Sequence, residues 1–198
     1  LTISSVLDAS NYAIELSGNW VNTGTYNPGI GVVTLIGLID QTFTNTNGEI
    51  IYGLTLNKSS GNLILANDLL VQENFAMIVG NITTGVNTLT LGENIGSVGI
   101  LTHASGTVVG KFERWLNATA LDYLFPVGSS TAYRPANVVF NSLTAGAIVA
   151  EFVAVNPGGN GLIPLVDAGQ DIHNSFTEGY WSLTPGNGLS SADYDLDL

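Results

Sequence analysis

Three sets of residues in this 198-residue chain are of types that do chemistry, and each has a plainer reading beside it. Glu49, Glu73 and Glu93 are carboxylates set among short β-type segments. A pair of them at the right separation would make a glycosidase acid and base or nucleophile. A lyase acting on polysaccharide would need a Lys or Arg close by, and Lys58 is the only one in the first hundred residues. Asp193, Asp195 and Asp197 alternate, which puts three carboxylates on one face of a strand. Oxygen ligands of that kind suit Ca²⁺. The alternative is a solvated strand face opposite Tyr194, Leu196 and Leu198, and no DxDxDG-type loop accompanies the three. Asp167 and Asp171, flanking Gly169, offer a weaker version of the same pattern.

The only histidines, His103 and His173, have no acid and hydroxyl at triad spacing, so both read as surface or hydrogen-bonded side chains. Trp20, Tyr26, Tyr52, Trp115, Tyr123 and Tyr133 could stack on sugars, yet aromatics in strands more often fill a core or cover an edge. Asn156–Gly161 is glycine-rich, but no Lys and no helical pattern follows it, so it is not a phosphate loop. Asn57-Lys58-Ser59, Asn81-Ile82-Thr83 and Asn117-Ala118-Thr119 match the N-glycosylation acceptor at near-chance frequency for an Asn- and Thr-rich chain. No set of residues stands out as catalytic or cofactor-binding.

The elements that would carry these residues are short apolar runs. Val32–Ile36, Ile50–Leu56, Leu63–Leu65, Leu69–Val71, Met77–Val79 and Leu89–Leu91 follow one another, with Gly, Asn, Asp, Ser or Thr in every gap. The spacing is that of rungs in a β-solenoid or a dense stack of strands, without a strict repeat length. Tyr12–Leu16 alternates with period two and predicts a further strand. The text changes near Ser105-Gly106. Asn137–Phe140, Ala147–Ala154 and Gly179–Leu183 then read as longer strands of a β-sandwich. The expected class is therefore all-β, with a solenoid-like region over 1–107 and a sandwich over 108–198. The last run, Asp193–Leu198, is still alternating where the sequence stops, so further strands are expected to follow in a longer parent. Thr119–Leu124 is the one stretch that could form a helical turn.

Composition narrows the function classes. Hydrophobic residues make up 45% of the chain, enough for a sizeable core, while charged residues are only 10%, against roughly 25% in an ordinary soluble domain. The surface must be built from uncharged polar groups. A net charge of −12 disfavours nucleic acid and anionic lipid. Without cysteine there are no disulfides, thiol nucleophiles or thiolate metal sites. No apolar run approaches the roughly 20 residues of a membrane span.

Several segments in order resemble a known family. Asn22–Gly29, Gly31–Leu35, Asp40–Phe43 and Ile51–Ser59, followed by Phe125-Pro126-Val127-Gly128 and Tyr133-Arg134-Pro135, resemble a pattern of large surface proteins of Bacteroidota exported by the type IX secretion system. Trp181 and Tyr194 stand where that family has sandwich-core aromatics. The resemblance covers nearly the whole chain and carries over no catalytic residue. It implies an extracellular, cell-surface location and a role as an adhesin, gliding-motility adhesin or filament scaffold. The implied partners are neighbouring domains, copies of the same chain, or surface glycans. The sorting domain typical of the family is not in this sequence. The expected function is a non-enzymatic structural or adhesive module, a stiff stalk that joins subunits through edge strands. A carbohydrate-binding module or solenoid polysaccharide enzyme is the alternative.

Overall fold

The computed structural model describes residues 1–46, 48–158, 165–167, 169–172 and 176–198. Strands and turns account for its regular structure, and no helix occurs among the described residues. Thr119–Leu124, the one stretch that could form a helical turn, does not form one. Ala120 takes a positive φ of 58° and the chain enters a strand at Asp122–Phe125. His173 lies outside the described residues, as do the side chains of Asp167 and Asp171 and the end of the Asn156–Gly161 segment.

The first half is a coil of parallel strands. One face is Ile14–Leu16, Val32–Leu35, the Gly53–Leu56 part of strand Glu49–Leu65, the Asn74–Met77 part of strand Leu69–Leu91, and Ile100–His103. Its rungs advance by 19, 21, 21 and 26 residues, from Ile14 to Val33, Leu54, Phe75 and Leu101. A second face stacks Gln41 on Leu63, Ile82, Val108 and Val127. A third pairs Glu49–Ile51 with Leu69–Val71, and Leu89–Leu91 with Phe112–Arg114. Because a strand alternates its side chains, one residue in two points inward. Val33, Leu35, Leu54, Leu56, Phe75 and Met77 are accordingly buried in line, each such burial contributing about 1.5–3 kcal/mol. The irregular rung length explains why no period could be read from the sequence: the strands keep register while the corners vary.

Corners are tied by short amides and acids. Asn19 Oδ1 accepts from Thr42 N (2.9 Å), Asp40 Oδ1 from Asn62 N (2.8 Å) and Asn81 Oδ1 from Thr107 N (2.9 Å). Each side chain precedes a strand of the second face and holds a backbone N–H of the next rung. Glycine is required where corners pass close to one another. At Gly61, with φ +69°, a Cβ would lie 2.3 Å from the Ile39 carbonyl carbon. At Gly106, with φ +104°, it would lie 2.0 Å from Gly80 O.

Strand Val108–Leu116 joins the halves. It pairs in parallel with Leu69–Leu91 on one side and antiparallel with Gly146–Val153 on the other, and that strand pairs antiparallel with Tyr180–Gly186. A separate antiparallel sheet consists of Asp122–Phe125, Ala136–Phe140 and Tyr194–Asp197. The boundary expected at 107/108 thus falls at the start of a strand that belongs to both halves. One apolar core runs through the chain, and Phe75, Phe112 and Phe125 make edge-to-face contacts across the junction at 5.9 and 6.1 Å.

Candidate functional site

The polar groups that the fold draws inward sit in the buried columns of the three coil faces. Alternation along Gln41-Thr42-Phe43-Thr44-Asn45 turns Gln41, Phe43 and Asn45 inward. Gln41 lies in the column continued by Leu63, Ile82 and Val108. Its Nε2 donates to Leu16 O (3.0 Å) and Gly18 O (2.6 Å), and its Oε1 accepts from Gly37 N (2.9 Å) and from Lys58 Nζ (2.8 Å). Both donors and both acceptor sites of the amide are therefore used. Lys58, 1% exposed, also donates to Gly37 O (2.7 Å) and Ile39 O (2.8 Å). Its three N–H bonds are filled by corner groups of the preceding rung. Burial lowers its pKa, and Asp40 partly restores it. All three donors of Lys58 are thus engaged inside the coil.

Glu49 is 5% exposed and pairs in register with Leu69. Its Oε2 accepts from Trp20 Nε1 (3.0 Å) and Asn22 Nδ2 (2.8 Å), so one carboxylate ties two successive rungs. Burial raises its pKa, against the two hydrogen bonds, which lower it. Tyr26 is raised as well, first by burial and then by the charge of Glu49. A polar cavity of about 200 Å³ opens beside these residues. Glu73 and Glu93 belong to a different corner, where Glu73 Oε1 accepts from Ser97 Oγ (2.6 Å) and Glu93 Oε2 from Gln72 Nε2 (3.4 Å). The strand Leu69–Val71 separates that corner from the position of Glu49, and each of the three acids has its own structural partner.

Arg114 sits in the column of Ile51, Val71 and Leu91, at the junction. Nη1 donates to Leu124 O (2.7 Å), and the guanidinium lies over Tyr123 and Phe125 at 5.6 and 5.9 Å. Burial pushes its pKa down to about 10, with Tyr123 opposing.

Asp193, Asp195 and Asp197 are in or beside the exposed strand Tyr194–Asp197. Asn141 Nδ2 donates to Asp193 Oδ1 (3.2 Å) and Asp195 Oδ2 (3.3 Å). Among the described residues no three of His, Asp and Glu come close enough to hold a metal ion, so the alternation does not converge on a Ca²⁺ cage. His103 Nε2 donates to Gly106 O (2.9 Å), and its ring stacks on Tyr133 at 5.5 Å. Trp20, Tyr26 and Tyr123 are core residues and present no face to a sugar. Trp181 packs on Phe152 and donates from Nε1 to Arg134 O (2.9 Å), whereas Tyr194, expected in a core, is 55% exposed. No helix among the described residues is long and apolar enough to cross a membrane.

Sequence reasoning missed the roles of Lys58, Gln41 and Arg114. The alternation in Gln41–Asn45 was a readable signal for Gln41. Lys58 carried none, because two of its three acceptors are backbone carbonyls contributed by a corner of another rung. No protein-family model, curated protein or solved structure matches this chain.

Proposed function

We propose that this chain is a non-enzymatic structural or adhesive module of an extracellular, cell-surface or filament-forming protein. The coil is its stiff stalk, the antiparallel half is a two-sheet sandwich, and free strand edges join it to neighbouring modules. The observation that supports this most is the use of Lys58, Gln41 and Glu49: strongly polar groups inside the coil are engaged in tying one rung to another. Placement among type IX-exported Bacteroidota surface proteins rests on the sequence segments that resemble them, Asn22–Gly29 through Tyr133-Arg134-Pro135.

Single-molecule pulling through handles at the two ends of the chain tests the stalk. The reading expects the coil to resist and then release as a unit. Extension with no resisting barrier would overturn it. A glycan-binding reading keeps one observation, the exposed Tyr133 ring stacked on His103, and a glycan array with Tyr133→Ala as control tests it.

A further inference from the structure

The cavity of about 200 Å³ beside Glu49 is lined by Asn22, Tyr26, Asn45, Glu49 and Ile50 among others. It lies within the coil, with a rung on either side. Thr2–Ile3 pairs with Val21–Asn22 at one side, and Glu49–Ile51 pairs with Leu69–Val71 at the other.

Its lining holds acceptors that the protein leaves unused. Asn22 and Asn45 are stacked in register, and both are buried. Asn22 spends both ends of its amide, Nδ2 on Glu49 Oε2 (2.8 Å) and Oδ1 on Gly24 N (2.9 Å). Asn45 Nδ2 donates to Asp68 O (3.2 Å), which fixes the orientation of that amide. Asn45 is 3% exposed, and its buried Oδ1 has no hydrogen-bond partner among the described residues. Both hydrogen bonds to the Glu49 carboxylate fall on Oε2, which leaves Oε1 to the cavity. The Tyr26 hydroxyl belongs to the same wall: burial first, and then the charge of Glu49, raise its pKa. The only ion pair among the described residues is Arg134–Glu178, so Glu49 is a buried carboxylate with no cation beside it. A buried charge is ordinarily paired.

The same coil shows which cation suits such a set of oxygens. The Lys58 ammonium meets three of them, Gly37 O, Ile39 O and Gln41 Oε1. The Glu49 corner offers a carboxylate, an amide and a phenol oxygen, and no ammonium of the described residues reaches them. We infer that this cavity binds a primary alkylammonium ion, whose N–H groups donate to Glu49 Oε1, Asn45 Oδ1 and the Tyr26 hydroxyl. A short carbon chain would lie against Ile50 and the Tyr26 ring, which also attracts the cation by its face. A divalent metal suits the site poorly, because Glu49 is its one charged ligand and Ca²⁺ takes roughly six to eight oxygens.

The test is titration of the whole chain with propylammonium chloride at constant ionic strength. It is followed by the indole N–H resonance of Trp20, which bonds the same carboxylate. A saturable shift is expected with propylammonium and none with tetramethylammonium, which carries the charge but no N–H. Glu49→Gln keeps an acceptor for Trp20 and Asn22 and is expected to fold, and its affinity should fall at least about tenfold. Tyr26→Phe removes only the hydroxyl and should weaken binding about threefold to tenfold. An equal response to tetramethylammonium or K⁺ would overturn the inference, as would tighter binding of Ca²⁺ than of propylammonium. So would no response to propylammonium, or unchanged affinity in both folded variants. None of these outcomes alters the pulling experiment, so the stalk reading stands or falls separately.

Discussion

Lys58 Nζ donates to Gln41 Oε1 at 2.8 Å, inside a coil where neither residue touches bulk water. The amide cannot turn to release the ammonium without also losing Leu16 O, Gly18 O and Gly37 N. One contact therefore holds the corners of three successive rungs, and the consequences can be measured.

Lys58→Met keeps the volume and removes the donor. Gly37 O loses a buried partner, Ile39 O a part-buried one, and Gln41 Oε1 keeps only Gly37 N; a buried unsatisfied group costs about 1–3 kcal/mol. Urea unfolding should show a loss of at least that size.

Glu49→Gln keeps an acceptor for Trp20 and Asn22 and removes a buried charge. Burial raises the pKa of Glu49, so its contribution to stability is fully present below the unfolded value near 4.5 and is lost as pH rises through the folded value. The glutamine variant should gain on the parent chain as pH rises from about 4 to neutrality. Paired denaturation curves at the two pH values would show this. Glu49→Leu should instead lose about 1–3 kcal/mol, because two buried donors are orphaned.

Asn81→Ala deletes one corner tie, Asn81 Oδ1 to Thr107 N, and should cost about 1 kcal/mol. Gly106→Ala should cost more, because it forces an L residue into φ +104° with a Cβ against Gly80 O. Thermal melts of the two variants would rank them.

Phe112→Ala removes the ring between Phe75 and Phe125 and should cost about 3–5 kcal/mol. Since one core crosses the junction, the variant should unfold in a single transition at lower denaturant, with probes in both halves coinciding. Two separated transitions would show that the halves fold independently.

The stacked strands were legible because inward apolar residues alternate with Thr and Asn, and Val33, Leu35, Leu54 and Leu56 show this plainly. Register was not legible, since the corners from Ile36 to Asp40 and from Asn57 to Asn62 differ in length and only their ends must meet. The triple-aspartate pattern of Asp193, Asp195 and Asp197 was visible, but its alternation fixes a shared face and not convergence, and Asn141 bridges two of them. The buried polar ties were illegible for a different reason. Lys58 depends on backbone carbonyls at Gly37 and Ile39, whose positions follow from the coil and not from local residue type. Glu49 likewise depends on Trp20 and Asn22 from the rung before.

The proposal that Glu49, Glu73 and Glu93 hold rungs together and turn nothing over is tested most directly by a cleavage assay on uronic-acid polymers, with the parent chain and the Glu49→Gln/Glu73→Gln/Glu93→Gln variant, each checked for folding. The account predicts no cleavage above background by either protein. Cleavage by the parent chain that the folded triple variant lacks would contradict it.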